Sequence, residues 1–288
     1  MLWLQYQLIK KISKEDPRID GSDLPPAIIH LKDTCGSFAF DYQSIYSPAG
    51  LNPDNTGVIG LDDFDSSWGI WGHNLRKVLG ANTEKVYATI NGKANDSQLC
   101  FSSGEMFRLI ESYITDNFGE KGKFRFVIAP DDTPYACTCP SCTAIGNTEK
   151  NATPAVTELI LRLSQRFPRH FFFTTSYLTT QQVTDKQLPP NAGVIVSAIN
   201  FPLRRIDGKD AKEKAFAGQL EQWKNVTKNI YIWDYINNFD DYLTPMPILK
   251  IARQRLQFFK QHGASGIFFN GSGYSYSSFD EMRTFVLS

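Results

Sequence analysis

The chain carries no surplus of either charge, since its 30 Lys+Arg are cancelled by 30 Asp+Glu across 288 residues. Without a net positive field or a basic block it has no electrostatic footprint for nucleic acid, and that partner is excluded. Apolar runs are short. None approaches the roughly 20 residues needed to cross a bilayer, so no membrane span is expected. Internal repeats, low-complexity tracts and long linkers are also missing. No signal peptide is expected at the start of the chain, because the charge of Lys10-Lys11 follows the apolar Met1-Leu2-Trp3-Leu4 instead of preceding it. That opening reads as the middle of a helix, and the chain is expected to begin inside a larger gene product. Histidine and cysteine are scarce, at 4 and 5 residues.

Aromatic residues are plentiful, at 13% of the chain. Most of the Phe belong to a large core, as in Phe171-Phe172-Phe173. Trp and Tyr at strand ends suit a second role, because an aromatic face packs against the C–H face of a sugar ring. Short β-branched or aromatic runs alternate with helical periodicity, the order of a mostly parallel sheet flanked by helices. Strands are expected at 37–42, at 57–59 or 68–71, at 85–90 with 98–101 around the Asn91-Gly92 turn, and at 124–129, 170–177, 193–199, 229–235 and 266–270. The pair 85–90 and 98–101 is counted as one elaborated barrel strand. The total is near eight, which predicts a closed (β/α)₈ TIM-type barrel over 37–288, with irregular early strands and a truncated last helix. A lead-in helix and loop over 1–36 precedes it. Three helices fit between the strands: one from Thr153-Pro154 to Pro168 with Thr153 as N-cap, one from about Glu105, and one from Pro247 to His262-Gly263.

In such a barrel the chemistry sits at the C-terminal ends of the strands. One strand runs directly into Pro130-Asp131-Asp132, and adjacent carboxylates can divide the acid and base roles between them. Loop capping is the competing use of these aspartates. A second strand ends in Trp233-Asp234-Tyr235, followed by Asn238, a set of sugar-hydroxyl ligands beside a stacking ring. A third ends in Asn270-Gly271-Ser272-Gly273, where glycines let backbone approach a ligand but no phosphate-loop Lys follows. Tyr177 and Asn200 end two further strands and are expected at the same mouth; His73 is more often structural in such a setting. Catalysis is therefore expected of Asp132, Asp131 and Asp234, and substrate binding of Trp233, Tyr235, Tyr177, Asn200, Asn238, Asn270 and His73.

No cofactor is expected for the reaction. Cys137-x-Cys139-x-x-Cys142 can hold a structural zinc with a fourth ligand from Cys100 or Cys35, or can pair as disulfides. Either arrangement staples the loop that carries Asp131 and Asp132.

The run from Pro130-Asp131-Asp132 through Cys142, the stretch Trp233-Asp234-Tyr235-Ile236-x-Asn238-Phe239-Asp240-x-Tyr242-Leu243-x-Pro245 and the closing Asn270-Gly271-Ser272-Gly273 resemble the bacterial family catalogued as domain of unknown function 4838. The resemblance runs from about residue 20 to the end. It implies kinship with glycoside hydrolase family 163, whose members are endo-β-N-acetylglucosaminidases, and with hexosaminidase- and α-glucuronidase-type barrels. The implied activity is glycoside hydrolysis of a glycan containing N-acetylhexosamine, in the periplasm or at the cell surface. In hexosaminidase-type barrels one carboxylate orients the sugar's acetamido group, whose oxygen attacks the anomeric carbon, while the other protonates the leaving oxygen. The family's Asp five positions before the first cysteine falls on Asp132. Two departures stand against turnover: Gln43 replaces an Arg at the first strand, and Phe269-Asn270 stands where some branches carry Glu. A carbohydrate-binding barrel without catalysis, or a fragment of a larger glycan-processing protein, is the alternative.

Overall fold

A computed structural model describes residues 38–288. The expected lead-in segment and Cys35 lie outside the described residues. The chain forms strands β1 (Tyr42–Tyr46), β2 (Trp68–Ile70), β3 (Tyr87–Ile90), β4 (Lys93–Leu99), β5 (Arg125–Val127), β6 (Phe171–Ser176), β7 (Ala192–Ser197), β8 (Asn229–Tyr235) and β9 (Gly266–Asn270). Around them lie α1 (Pro48–Leu51), α2 (Pro53–Ile59), α3 (Phe64–Ser67), α4 (Leu75–Leu79), α5 (Gly104–Phe118), α6 (Pro140–Ile145), α7 (Thr153–Arg166), α8 (Ala211–Lys224), α9 (Leu249–Gln261) and α10 (Asp280–Leu287).

Seven strands make one parallel sheet in the order β1-β9-β8-β7-β6-β5-β2, and β3 and β4 form a separate antiparallel hairpin. The order is cyclic, so a closed ring would bring β1 beside β2. Among the described residues no backbone ladder joins them. The sheet nevertheless curls far enough for its two ends to touch through side chains: the Trp68 indole N–H donates to the Tyr42 hydroxyl at 2.7 Å. Beside that seam the segment 60–62 lies along the open edge of β1, with Asp62 N–H donating to Gln43 O at 2.8 Å and the Asp62 carboxylate accepting from Gln43 N–H at 2.9 Å. The expected eight-stranded closed barrel is thus a curled, seven-stranded half-barrel. The 85–101 region does not contribute a barrel strand, residues 57–59 end α2, and the first strand begins at Tyr42, where the 37–42 run was expected to finish.

Strand alternation sorts the core into an inside and an outside. Tyr42, Trp68, Val127, Phe173, Ile195, Tyr231 and Phe268 pack together within the curl. Phe126 and Phe172 face outward against Ile110 and Ile114 of α5 and Leu159 and Leu163 of α7. Val194, Val196, Ile230, Ile232 and Ile267 face Leu220 and Trp223 of α8 and Phe259 of α9. The apolar stripes of α5, α7 and α9 are where their spacing places them. Thr153 does not cap α7, however. It lies inside the helix, and Asn151 and Asn147 side chains accept from Thr153 N–H and Ala155 N–H, each at 3.0 Å. Ser103 caps α5 and Asp210 caps α8 as acceptors for first-turn amides, satisfying donors that a helix start leaves unpaired.

Candidate functional site

Inward-facing positions are apolar in the middle of the sheet and turn polar toward its C-terminal edge. Two residues beyond Phe173, Ile195 and Tyr231 come Thr175, Ser197 and Trp233, and Tyr235 follows one step further. These side chains line a cavity of about 260 Å³ whose rim is completed by His73, Asp132 and Tyr177. Trp233 stacks on Trp71 at 4.9 Å between ring centroids and 25° between planes, and packs edge-on against Phe268, so its indole is a fixed wall. Among the described residues the buried Trp233 indole N–H has no hydrogen-bond partner. A larger depression of about 1020 Å³ shares Tyr177, Ser197 and Ile199 with the cavity and continues toward Gln219 and Gln222 of α8.

Asp132 reaches the cavity because its loop is pinned from the β3–β4 hairpin. Gln98 is 1% exposed. Its Oε1 accepts from Asp131 N–H at 3.0 Å, and its Nε2 donates to Asp131 O, Thr133 Oγ1 and Tyr135 O at 3.2, 3.1 and 3.2 Å. His73 arrives through a turn that uses Gly72 at φ +57°, where an added Cβ would sit 3.4 Å from the Trp233 ring. Its Nδ1 lies 2.5 Å from Pro130 O. A carbonyl oxygen only accepts, so the Nδ1 that faces it carries a proton. Burial raises the pKa of the Tyr177 and Tyr235 phenols, and the negative charge of Asp132 raises both further. Both therefore remain protonated donors at neutral pH, grouped around one exposed carboxylate.

The structure separates the three candidate acids. Asp132 alone lines the cavity. Asp131 turns to α4, where its carboxylate meets Arg76 Nε at 2.6 Å; burial raises its pKa, opposed by Arg76 and His73. The two neighbouring carboxylates therefore have different surroundings, one at the cavity and one on Arg76. Asp234 is placed away from the cavity. It lies on the outward face of β8, 1% exposed, in a bidentate pair with Arg255 of α9, whose Nε donates to Oδ2 at 3.0 Å and whose Nη2 donates to Oδ1. Strand parity explains this, since Trp233 and Asp234 are consecutive and must face opposite sides.

Among the expected ligands, Trp233, Tyr235, Tyr177 and His73 come together at the cavity. Asn200 is exposed and lines the adjoining depression. Asn238 serves its own loop, accepting from Asp240 N–H at 3.1 Å. Asn270 ends β9 in register with Tyr46 and Tyr235, on the inward-facing side marked by Phe268. Thr175, Ser197 and Trp71 were not anticipated, although period-2 counting from Phe173 and Ile195 would have pointed to the first two. Cys137, Cys139 and Cys142 do gather, and Cys100, at the end of the hairpin, joins them.

A curled parallel half-barrel with an aromatic-lined cavity at its strand C-termini defines an α/β barrel-like protein. The family model described as domain of unknown function DUF4838 matches residues 73–288, and the chain belongs to that family. The match begins at His73, after β1 and β2. No curated protein matches the chain.

Proposed function

We propose that the cavity binds one sugar of a glycan and that the chain is a glycoside hydrolase-like protein in which Asp132 exchanges a proton with the glycosidic oxygen. The observation that carries this reading is the setting of Asp132, an exposed carboxylate framed by Tyr177, Tyr235 and His73 over the fixed face of Trp233. A stacking ring beside hydrogen-bond donors and acceptors is what a pyranose requires. At about 260 Å³ the cavity falls just below the roughly 300–1,000 Å³ usual of ligand sites, room for one ring. The adjoining depression can take the sugars that follow. Among the described residues lining the cavity no second carboxylate stands opposite Asp132. The two-carboxylate schemes of retaining and inverting enzymes fit less well than one in which the substrate's acetamido oxygen is the nucleophile and Asp132 the acid. In that scheme the acetamido-orienting role suggested for Asp131 passes to a hydroxyl such as that of Tyr235, whose oxygen accepts from the acetamido N–H.

The ion pairing of both Asp131 and Asp234 favours a second reading, a carbohydrate-binding barrel without turnover. One experiment separates the two. Wild-type protein and Asp132→Asn are incubated with a chitooligosaccharide and with N-glycosylated protein, following both binding and released reducing ends. Under the first reading wild type releases product, and the variant keeps binding while kcat falls about 10²–10⁴-fold, the usual contribution of a general acid. Binding by wild type without product supports the second reading. An Asp132→Asn protein with full turnover overturns the role of Asp132.

A further inference from the structure

Four cysteines meet on the outer side of the half-barrel, between the β3–β4 hairpin and the segment that follows β5. The Sγ atoms of Cys100, Cys137, Cys139 and Cys142 all lie within 4.8 Å of one another. Cys100 Sγ stands 3.7 Å from Cys139 Sγ and 3.8 Å from Cys142 Sγ. Four thiolates held about 2.3 Å from one zinc ion at tetrahedral angles lie about 3.8 Å apart. A disulfide would bring one pair to about 2.05 Å and move it away from the others. Here Cys100 is nearly equidistant from two partners, the arrangement of a tetrahedron's corner and not of two separate bridges.

The surroundings suit a tetrathiolate. Zinc binding exchanges four thiol protons for the ion and leaves a centre with two net negative charges, which needs donors around its sulfurs. Three are in place. Thr89 N–H donates to Cys137 Sγ at 3.2 Å, Cys142 N–H donates to Cys139 Sγ at 3.5 Å, and the Ser102 hydroxyl lies 3.0 Å from Cys142 Sγ. Three of the four cysteines are buried, which keeps water off the centre.

We infer that Cys100, Cys137, Cys139 and Cys142 form a structural zinc site that fastens the hairpin to the loop carrying Asp131 and Asp132. Cys100 follows Gln98 by two residues, and Gln98 holds the backbone of that loop at Asp131 and Tyr135. Thr138 N–H, between two of the ligands, donates to Thr89 O at 2.8 Å, so the hairpin and the cysteine loop are also joined through their backbones. All four positions are filled by protein sulfur, so the ion has no open position for substrate and its role is architectural. The site stands whether or not the cavity binds a sugar.

The test uses the full chain purified under reducing conditions and loaded with zinc sulfate. Elemental analysis after gel filtration is expected to find about one zinc per chain. Cobalt(II) in its place is expected to give the intense visible d–d bands and sulfur-to-metal charge transfer of a tetrahedral tetrathiolate. Cys100→Ser and Cys142→Ser should each lose most of the metal, whereas Cys35→Ser should retain it. If the serine variants do not fold, the wild-type cobalt spectrum decides alone. Failure to retain zinc, an octahedral cobalt spectrum, or disulfide-linked peptides joining any two of the four cysteines in non-reduced protein would overturn the assignment.

Discussion

Asp132, in the loop after β5, and Asp234, near the end of β8, sit in opposite physical settings. The first is exposed in a cavity; the second is sealed between sheet and helix, where Arg255 grips it and also donates to Pro202 O at 2.7 Å. Removing one member of a buried pair leaves an uncompensated charge and typically costs about 3–5 kcal/mol. Asp234→Ala is therefore expected to lower the stability of the chain by that amount in urea denaturation. Asp234→Leu combined with Arg255→Met should recover much of the loss. An Asp234→Ala protein with an unchanged urea midpoint would show that the pair is not what holds β8 to α9. The sequence did hold the discriminating signal. Along Ile230-Tyr231-Ile232-Trp233-Asp234-Tyr235 the period of two puts Tyr231, Trp233 and Tyr235 on one side and Asp234 with the isoleucines on the other. What the residues alone could not reveal was that Arg255, one turn before Phe259 in the following helix, would face it.

At the scale of elements, β5 to β9 were legible because each is covered by helices on its outer face and so reads as a continuous apolar run. β1 was placed about five residues too early for the opposite reason. Its outward Gln43 faces the 60–62 segment instead of a helix, with its Nε2 donating to Gly60 O at 2.5 Å, so Tyr42–Tyr46 lacks an apolar pattern. The same bond gives Gln43 an architectural role at the position where an arginine was expected. The β3–β4 hairpin was seen as a turn, but its partnership with the cysteine loop is long-range and has no local sequence mark. Gln98 carries that partnership. Gln98→Leu deprives Asp131 N–H of its acceptor and Tyr135 O of a donor, with an expected cost of about 1–3 kcal/mol per stranded group. Hydrogen exchange should accelerate selectively at the amides of 131–136, while those of β8 stay protected. Equal protection of 131–136 in both proteins would show that the loop is held by something else.

At the scale of the molecule, the sheet depends on side chains to hold its two ends together. Tyr42 is fully buried, stacks on Tyr231 at 5.3 Å between centroids, accepts from Trp68 and lies 2.7 Å from Ser44 Oγ. Tyr42→Phe keeps the rings and removes the oxygen, stranding the Trp68 indole N–H in the core. The expected loss is about 1–3 kcal/mol, read from chemical denaturation together with a shift in tryptophan fluorescence. No change in either would mean that the seam is held by packing alone. The curled parallel architecture was legible from the alternation of strands and helices. The number of strands was not, because a ring with one open seam and a ring of eight present nearly the same run of elements in sequence.

That seam has a bearing on how the chain behaves at high concentration. A β-strand with a bare flank is a template for a second molecule to add its own strand, and the flank of β1 is covered only by the short segment that carries Asp62. The carboxylate occupies an amide that an incoming backbone would otherwise claim, and it brings a charge that repels a polypeptide seeking to dock there. Asp62→Ala frees that amide while the backbone bond to Gln43 O remains, and light scattering of the variant is expected to rise with concentration; scattering equal to that of the wild type would show that the 60–62 backbone shields the strand by itself.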